Sequence, residues 1–243
     1  MTREKFKVYQ GVFDEHTLLS LENLKRRNYI DELGQAIKTG KEGDVYHATR
    51  KDKKLAIKIF RITNANFNKI SQYIVRDFRF KNIRGNKRKV ILMWSQKEFR
   101  NLQILQRANV NVPYAYKQLQ NVIVMDYIDG TMLKDATIDN SVEVFEQVKE
   151  QLYLMLHKAK LIHADLSEYN MMMSCDGIVY VIDVGQAMGF KSEQDFRDFE
   201  DLFVRDVESI CRFFNKKFNM NIYSEELCNT CDLTTQYFSY KNL

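Results

Sequence analysis

With 243 residues the chain has room for one or two domains with real cores, and its 45% hydrophobic content excludes a disordered polymer. The 37 basic against 32 acidic residues leave a formal charge of +5, which accommodates an anionic partner without requiring one. No stretch approaches the ~20 apolar residues of a membrane-spanning helix, and the N-terminus, charged from Arg3 onward, lacks an apolar export core. A soluble protein of the cytoplasm, with the nucleus as a second compartment and no membrane partner, is expected.

In chain order, Leu18, Leu21 and Leu24 recur at helical spacing and predict a helix over 17–27. Lys25, Arg26 and Arg27 close it, where the helix dipole favours cations. A short strand at 36–38 enters the turn Thr39-Gly40-Lys41-Glu42-Gly43 and leaves through Val45-Tyr46-His47-Ala48. Leu55 to Phe60 reads as a strand with one lysine, Lys58, inside an apolar run. Residues 64–89 show no steady period and predict a long loop. From Arg76 to Lys89 it holds Arg76, Arg79, Lys81, Arg84, Lys87, Arg88 and Lys89 against a single acid, Asp77.

A helix over 93–108 and a buried strand over 121–128 follow. Val144, Phe145, Val148, Leu152, Met155 and Leu156 share one face of a helix over 141–160. The polar loop His163–Asn170 then runs into a hairpin, 171–173 and 178–182, turned at Asp176-Gly177. Residues 194–240 read as helical, and acids collect between Glu193 and Glu208. With strands first and helices after, the expectation is an α+β fold of two lobes around a cleft. Its parts are a helical extension over 1–35, an antiparallel-sheet lobe over 36–128 and a mainly helical lobe over 129–243. Cys228 and Cys231 form a lone C-x-x-C, fewer than the four ligands a zinc site wants, so reduced thiols are expected.

Phosphoryl transfer from ATP needs a phosphate cradle, a cation, metal ligands and a base for the acceptor hydroxyl. The chain offers each in turn. The Thr39–Gly43 turn could bring backbone N–H groups to phosphate oxygens, or be only a turn. Lys58 either lies on the outer face of an edge strand or points into the cleft, with Glu98 as an ion-pair partner. Met125-Asp126-Tyr127-Ile128 would join the lobes and meet the adenine edge with backbone groups. The H-x-D-x-x-x-x-N string from His163 to Asn170 places a carboxylate, Asp165, near the acceptor and the amide oxygen of Asn170 toward magnesium. Asp183 at the end of the next strand could bridge that metal to the phosphates. His163 is expected to be structural, bonding nearby backbone.

These residues resemble the RIO family of atypical serine/threonine protein kinases, and its first subfamily more than its second. The resemblance rests on Val12-Phe13-Asp14 with Thr17, Thr39-Gly40-Lys41-Glu42, Leu55-Ala56-Ile57-Lys58-Ile59, Lys97-Glu98-Phe99-Arg100, His163–Asn170 and Ile182-Asp183-Val184. It implies a protein-kinase-like fold using ATP and Mg2+, with Thr39, Gly40, Lys41, Lys58 and Glu98 at the phosphates. Met125, Asp126 and Ile128 would lie at the adenine, with Asp165 as base and Asn170 and Asp183 as metal ligands. It further implies that Asp183 could accept the phosphoryl group, making the protein an ATPase as well as a kinase. Finally it implies work on the maturing small ribosomal (pre-40S) subunit, whose RNA the basic stretch Arg76–Lys89 would meet. Gly43 stands where the family's loop commonly has alanine, and Gly185 where the first subfamily commonly has serine. Two other readings stay open: a small-molecule phosphotransferase of the aminoglycoside-kinase type, and a non-catalytic nucleotide-binding scaffold on RNA.

Overall fold

The computed structural model describes residues 13–40, 43–62, 67–80 and 86–230. Helix α1 is Glu15–Arg26, followed by strands β1 (Glu32–Thr39), β2 (Gly43–Arg50) and β3 (Lys53–Phe60). Helix α2 (Phe67–Arg76), a 3-10 turn at Phe78–Phe80 and helix α3 (Lys87–Arg107) lead to β4 (Ala115–Leu119) and β5 (Val122–Asp126). Strand β6 (Gly130–Met132), helix α4 (Ser141–Tyr153), β7 (Leu161–Ile162), β8 (Met171–Ser174), β9 (Val179–Val181) and β10 (Met188–Gly189) come next. Helices α5 (Glu193–Arg197), α6 (Glu200–Phe218) and α7 (Ser224–Thr230) end the described chain. Two compact units result: Met1–Arg100 with Pro113–Tyr127, and Asn101–Val112 with Ile128–Leu243.

The first unit is an antiparallel sheet in the order β1-β2-β3-β5-β4. Alternation puts Leu55, Ile57 and Ile59 of β3 on one face, where they join Leu21 and Leu24 of α1 and Val122 and Val124 of β5 in one core. Helix α1 is seated by its N-cap: the Asp14 carboxylate accepts from the Thr17 N–H (3.1 Å) and hydroxyl (2.8 Å). Asn121 ties that cap to the sheet, its amide donating to Thr17 Oγ1 and to the Phe60 carbonyl, both at 2.9 Å. The outer strand β1 is longer than the predicted three residues. Its ladder with β2 slips twice, between Leu33 and Ala36 and between Ala36 and Lys38.

The predicted long loop over 64–89 is not what the described part of that stretch forms. Ile70, Tyr73 and Ile74 make a short helical stripe, and Ile70 and Ile74 are fully buried, which suffices for α2. The signal was brief and lay in a dense basic background. Helix α3 also starts six residues before its predicted boundary, at Lys87.

In the second unit, α4 and α6 pack through Phe145 and Phe214, whose ring centroids lie 5.1 Å apart. The predicted helix over 141–160 changes to a π-helical turn at Leu154–Ala159 and stops at Lys160, which takes the left-handed conformation (φ 53°). The hairpin β8–β9 forms with Gly177 at φ 78°, a conformation open to glycine at no steric cost. Asn111 attaches segment 101–112 to this unit: its N–H donates to Gln151 Oε1 (2.7 Å) and its carbonyl accepts from Val181 (2.8 Å). Helix over 194–240 is interrupted around Phe199 and again after Phe218, where Asn219 adopts φ 52°. Its end beyond residue 230, with Cys231, lies outside the described residues. Cys175 and Cys211 are free thiols. No described helix is long and apolar enough to cross a membrane.

Candidate functional site

In the first unit β3 is an inner strand, Val45 and Ile123 flanking Lys58 in the ladder, so the edge-strand reading of Lys58 falls away. Alternation sends Lys58 to the face opposite the α1 core. There its ammonium donates to both carboxylate oxygens of Glu98 on α3, each at 2.7 Å. The pair is mostly shielded from water, with 12% and 3% of the two side chains exposed. Two charge-assisted bonds of this kind fix the orientation of the cation.

Strand β1 enters the Thr39–Gly43 turn, whose Lys41 and Glu42 lie outside the described residues; Thr39 is exposed. The N–H of Gly40 faces inward, donating to the Gly43 carbonyl (3.0 Å) and to Asp44 Oδ1 (3.2 Å), and so closes the hairpin. That N–H is thus engaged within the turn itself. Asp44, which sequence reasoning passed over, clamps the turn and is itself gripped by Arg61 through Nε (2.8 Å) and Nη2 (2.7 Å). Gly43 is needed here, because a Cβ would stand 2.6 Å from the Ile59 carbonyl oxygen. At the far end of β5, Met125 pairs with Ala56 and Ala115. The Asp126 N–H is committed to the Tyr114 carbonyl (2.9 Å), and its carboxylate accepts from Tyr116 (2.6 Å) and Lys53 (2.8 Å). Ile128 opens the second unit and is half-buried.

In the second unit the loop from β7 to β8 presents Asp165 to solvent and keeps Asn170 buried. The Asn170 amide nitrogen donates to the Asp165 carbonyl (2.8 Å) and, at 3.3 Å, to its Oδ2. Because the amide is planar, its oxygen points the other way. Gln186, just past Asp183, donates to the same Asp165 Oδ2 at 2.9 Å. Asp183 is exposed and sits at φ 58°, ψ 53°, a strained conformation for a residue with a Cβ. His163 donates from Nε2 to the Ile182 carbonyl (3.1 Å), which makes it the structural histidine expected. Asn101 holds the other side of the Asp183 turn through the Val184 carbonyl at 2.7 Å. The oxygens of Asn170 and Asp183 are the hard donors that Mg2+ takes, so the residues present fit that ion.

Ala164, before Asp165, is also left-handed (φ 67°) and fully buried. Two neighbours on α6 hold it there: Arg205 Nη2 donates to its carbonyl (2.5 Å), and Asp206 accepts from its N–H (2.7 Å) and from that of Leu166 (2.8 Å). Asp206 is a residue of the loop's framework that the sequence reading missed. Its signal is a carboxylate on the apolar stripe of Leu202, Phe203, Val207 and Ile210. Burial pushes its carboxyl up to about 7, against the two amides and the Arg205 charge, which pull it down.

The sign of the consequence is set by linkage. A carboxyl that binds protons more tightly folded than unfolded makes stability fall as pH rises between the ordinary value near 4 and 7. The loss is at most about 1.4 kcal/mol per pH unit. Urea unfolding of the protein and of Asp206→Asn across that window should show the slope in the former and its loss in the latter.

The RIO domain family profile matches residues 44–227. The RIO-type serine/threonine-protein kinase Rio1 of Haloferax volcanii is 36% identical over 220 residues, which cover 88% of this chain and 74% of that one. Serine/threonine-protein kinase RIO1 of Homo sapiens is 34% identical over 215 residues, covering 84% of this chain and 37% of its own. The chain thus spans most of the archaeal relative and well under half of the human one. Among solved structures, the Rio2 kinase of Chaetomium thermophilum superposes with a TM-score of 0.68 at 22% identity, over 88% of this chain and 67% of that one. Its ADP/Mg2+-phosphoaspartate complex gives 0.66 at 22% identity, over 88% and 66%. These two establish the likeness of fold.

Proposed function

Because the chain belongs to the RIO domain family, whose curated relatives are named serine/threonine-protein kinases, we propose that it moves the γ-phosphoryl group of ATP to a serine or threonine hydroxyl. The observation that carries this reading is the hydrogen-bonded set Asp165, Asn170 and Gln186, with Asp183 three residues before Gln186. In the transfer, the acceptor oxygen bonds to the γ-phosphorus as the bond to the β,γ-bridging oxygen breaks. ADP leaves, and the hydroxyl proton passes to Asp165. Lys58, braced by Glu98, would neutralise phosphate charge, and Asn170 and Asp183 would hold the metal. When bound, Mg2+ supplies charge neutralisation at the phosphates.

The reading includes ATP hydrolysis and an acyl-phosphate on Asp183, supported by the phosphoaspartate of the Chaetomium complex. Work on pre-40S particles in the cytoplasm is proposed with it. The exposed Arg76, Lys87 and Lys89 are its cationic contacts to RNA. Arg79 is not among them, because its guanidinium is committed to Asp77 through Nε (2.8 Å) and Nη2 (2.6 Å). Lys81 and Arg84 lie outside the described residues.

The test is ATP turnover by the full chain with and without Mg2+, followed by a search for base-labile label from γ-labelled ATP. Metal-dependent phosphate release with label on the protein is the expected outcome. Nucleotide binding with neither would favour the scaffold reading, and transfer to a sugar or amine the small-molecule one.

A further inference from the structure

Three residues of α3 spaced three apart, Trp94, Lys97 and Arg100, meet three residues of the segment before it, Tyr73, Asp77 and Phe80. The rings of Tyr73 and Trp94 lie 6.2 Å apart between centroids. Lys97 Nζ stands 3.4 Å from Asp77 Oδ2, with both side chains 0% exposed. The Arg100 guanidinium is 5.2 Å from the centre of the Phe80 ring. Asp77 is further bound by Arg79, through its N–H (3.1 Å), Nε and Nη2.

A buried charge cluster is a costly way to gain stability, because desolvation offsets most of the attraction. It is a good way to specify one geometry. Burial pushes the Lys97 ammonium down to about 7 while Asp77 holds it up. Burial likewise pushes the Asp77 carboxyl up, but the Arg79 hydrogen bonds and the Lys97 charge prevail and keep it below the ordinary range.

What that geometry fixes is the next residue, Glu98. Successive side chains on a helix point about 100° apart, so the azimuth of Lys97 sets that of Glu98. Turning α3 by about 20° would carry a side-chain tip, about 5–6 Å off the axis, through about 2 Å. That displacement would break both 2.7 Å contacts to Lys58.

We propose that Asp77 is a positioning residue for the nucleotide site, acting through Lys97 to set the rotation of α3 at which Glu98 braces Lys58. This rests on the reading of Lys58 as the phosphate-binding cation.

The experiment is a double-mutant cycle on the affinity of the full chain for a non-hydrolysable Mg·ATP analogue, measured well below the unfolding temperature of each variant. Asp77→Asn and Glu98→Gln should each weaken binding on the order of 10-fold, and the double variant should be no weaker than Glu98→Gln alone. A general structural role would lower the unfolding temperature and multiply the loss equally on both backgrounds. Multiplying losses, or an unchanged Asp77→Asn beside a weakened Glu98→Gln, would therefore overturn the positioning role alone. Unchanged affinity in Glu98→Gln would overturn the Lys58 reading itself and this proposal with it. Should Asp77→Asn fail to fold, Lys97→Met takes its place in the same cycle, with the same outcomes deciding.

Discussion

Replacing Asp165 by asparagine is expected to lower the rate of ATP turnover by about 10²–10⁴-fold, the contribution of a positioned general base. The substitution keeps the shape of the side chain, and one oxygen remains to accept from Gln186, which now donates to Asp165 at 2.9 Å. Binding of Mg·ATP should therefore change little, because Asp165 does not hold the phosphates in the proposed scheme. Rates under single-turnover conditions, set beside equilibrium binding of the nucleotide, separate the two quantities. A variant that turns over within a few-fold of the parent would remove Asp165 from the chemistry and leave the loop as scaffolding.

The second large effect is expected at Asp183. Its left-handed backbone makes alanine a poor probe, since a lost side chain and a relaxed turn would be confounded. Asparagine tolerates that conformation and removes only the charge. Asp183→Asn should reduce turnover by several kcal/mol of barrier, on the order of 10³-fold. It should also abolish base-labile label on the protein, and make nucleotide affinity insensitive to added Mg2+. Titrating ATP at increasing Mg2+ checks the last point. A variant whose affinity still climbs with the metal would mean that Asp183 does not hold it.

The parts of this molecule that could be read from the chain are those in which chemistry and order coincide. The Asp176-Gly177 turn, the amphipathic α4 and the His163–Asn170 string are local, and each carries its own signature. Lys58 was ambiguous for a physical reason. An apolar run with one lysine fits an inner strand or an edge, and only the non-local pairing with β2 and β5 decides between them. Asp206 was illegible as a partner because it lies some forty residues along the chain from the amides it holds, although an acid among phenylalanines was a visible oddity. The basic stretch misled in another way. A run of like charges does not show which of them are spent inside, and Arg79 is bound to a buried aspartate.

The slipped ladder of β1 bears on how the protein behaves when crowded. A terminal strand with regular spacing would offer its outward amides and carbonyls as a template on which another copy could lay a strand of its own. Two irregularities within eight residues put those groups out of step with any straight neighbour and add local coiling. With Lys38 also exposed on the same strand, sheet-to-sheet growth into fibres is disfavoured at this border of the molecule.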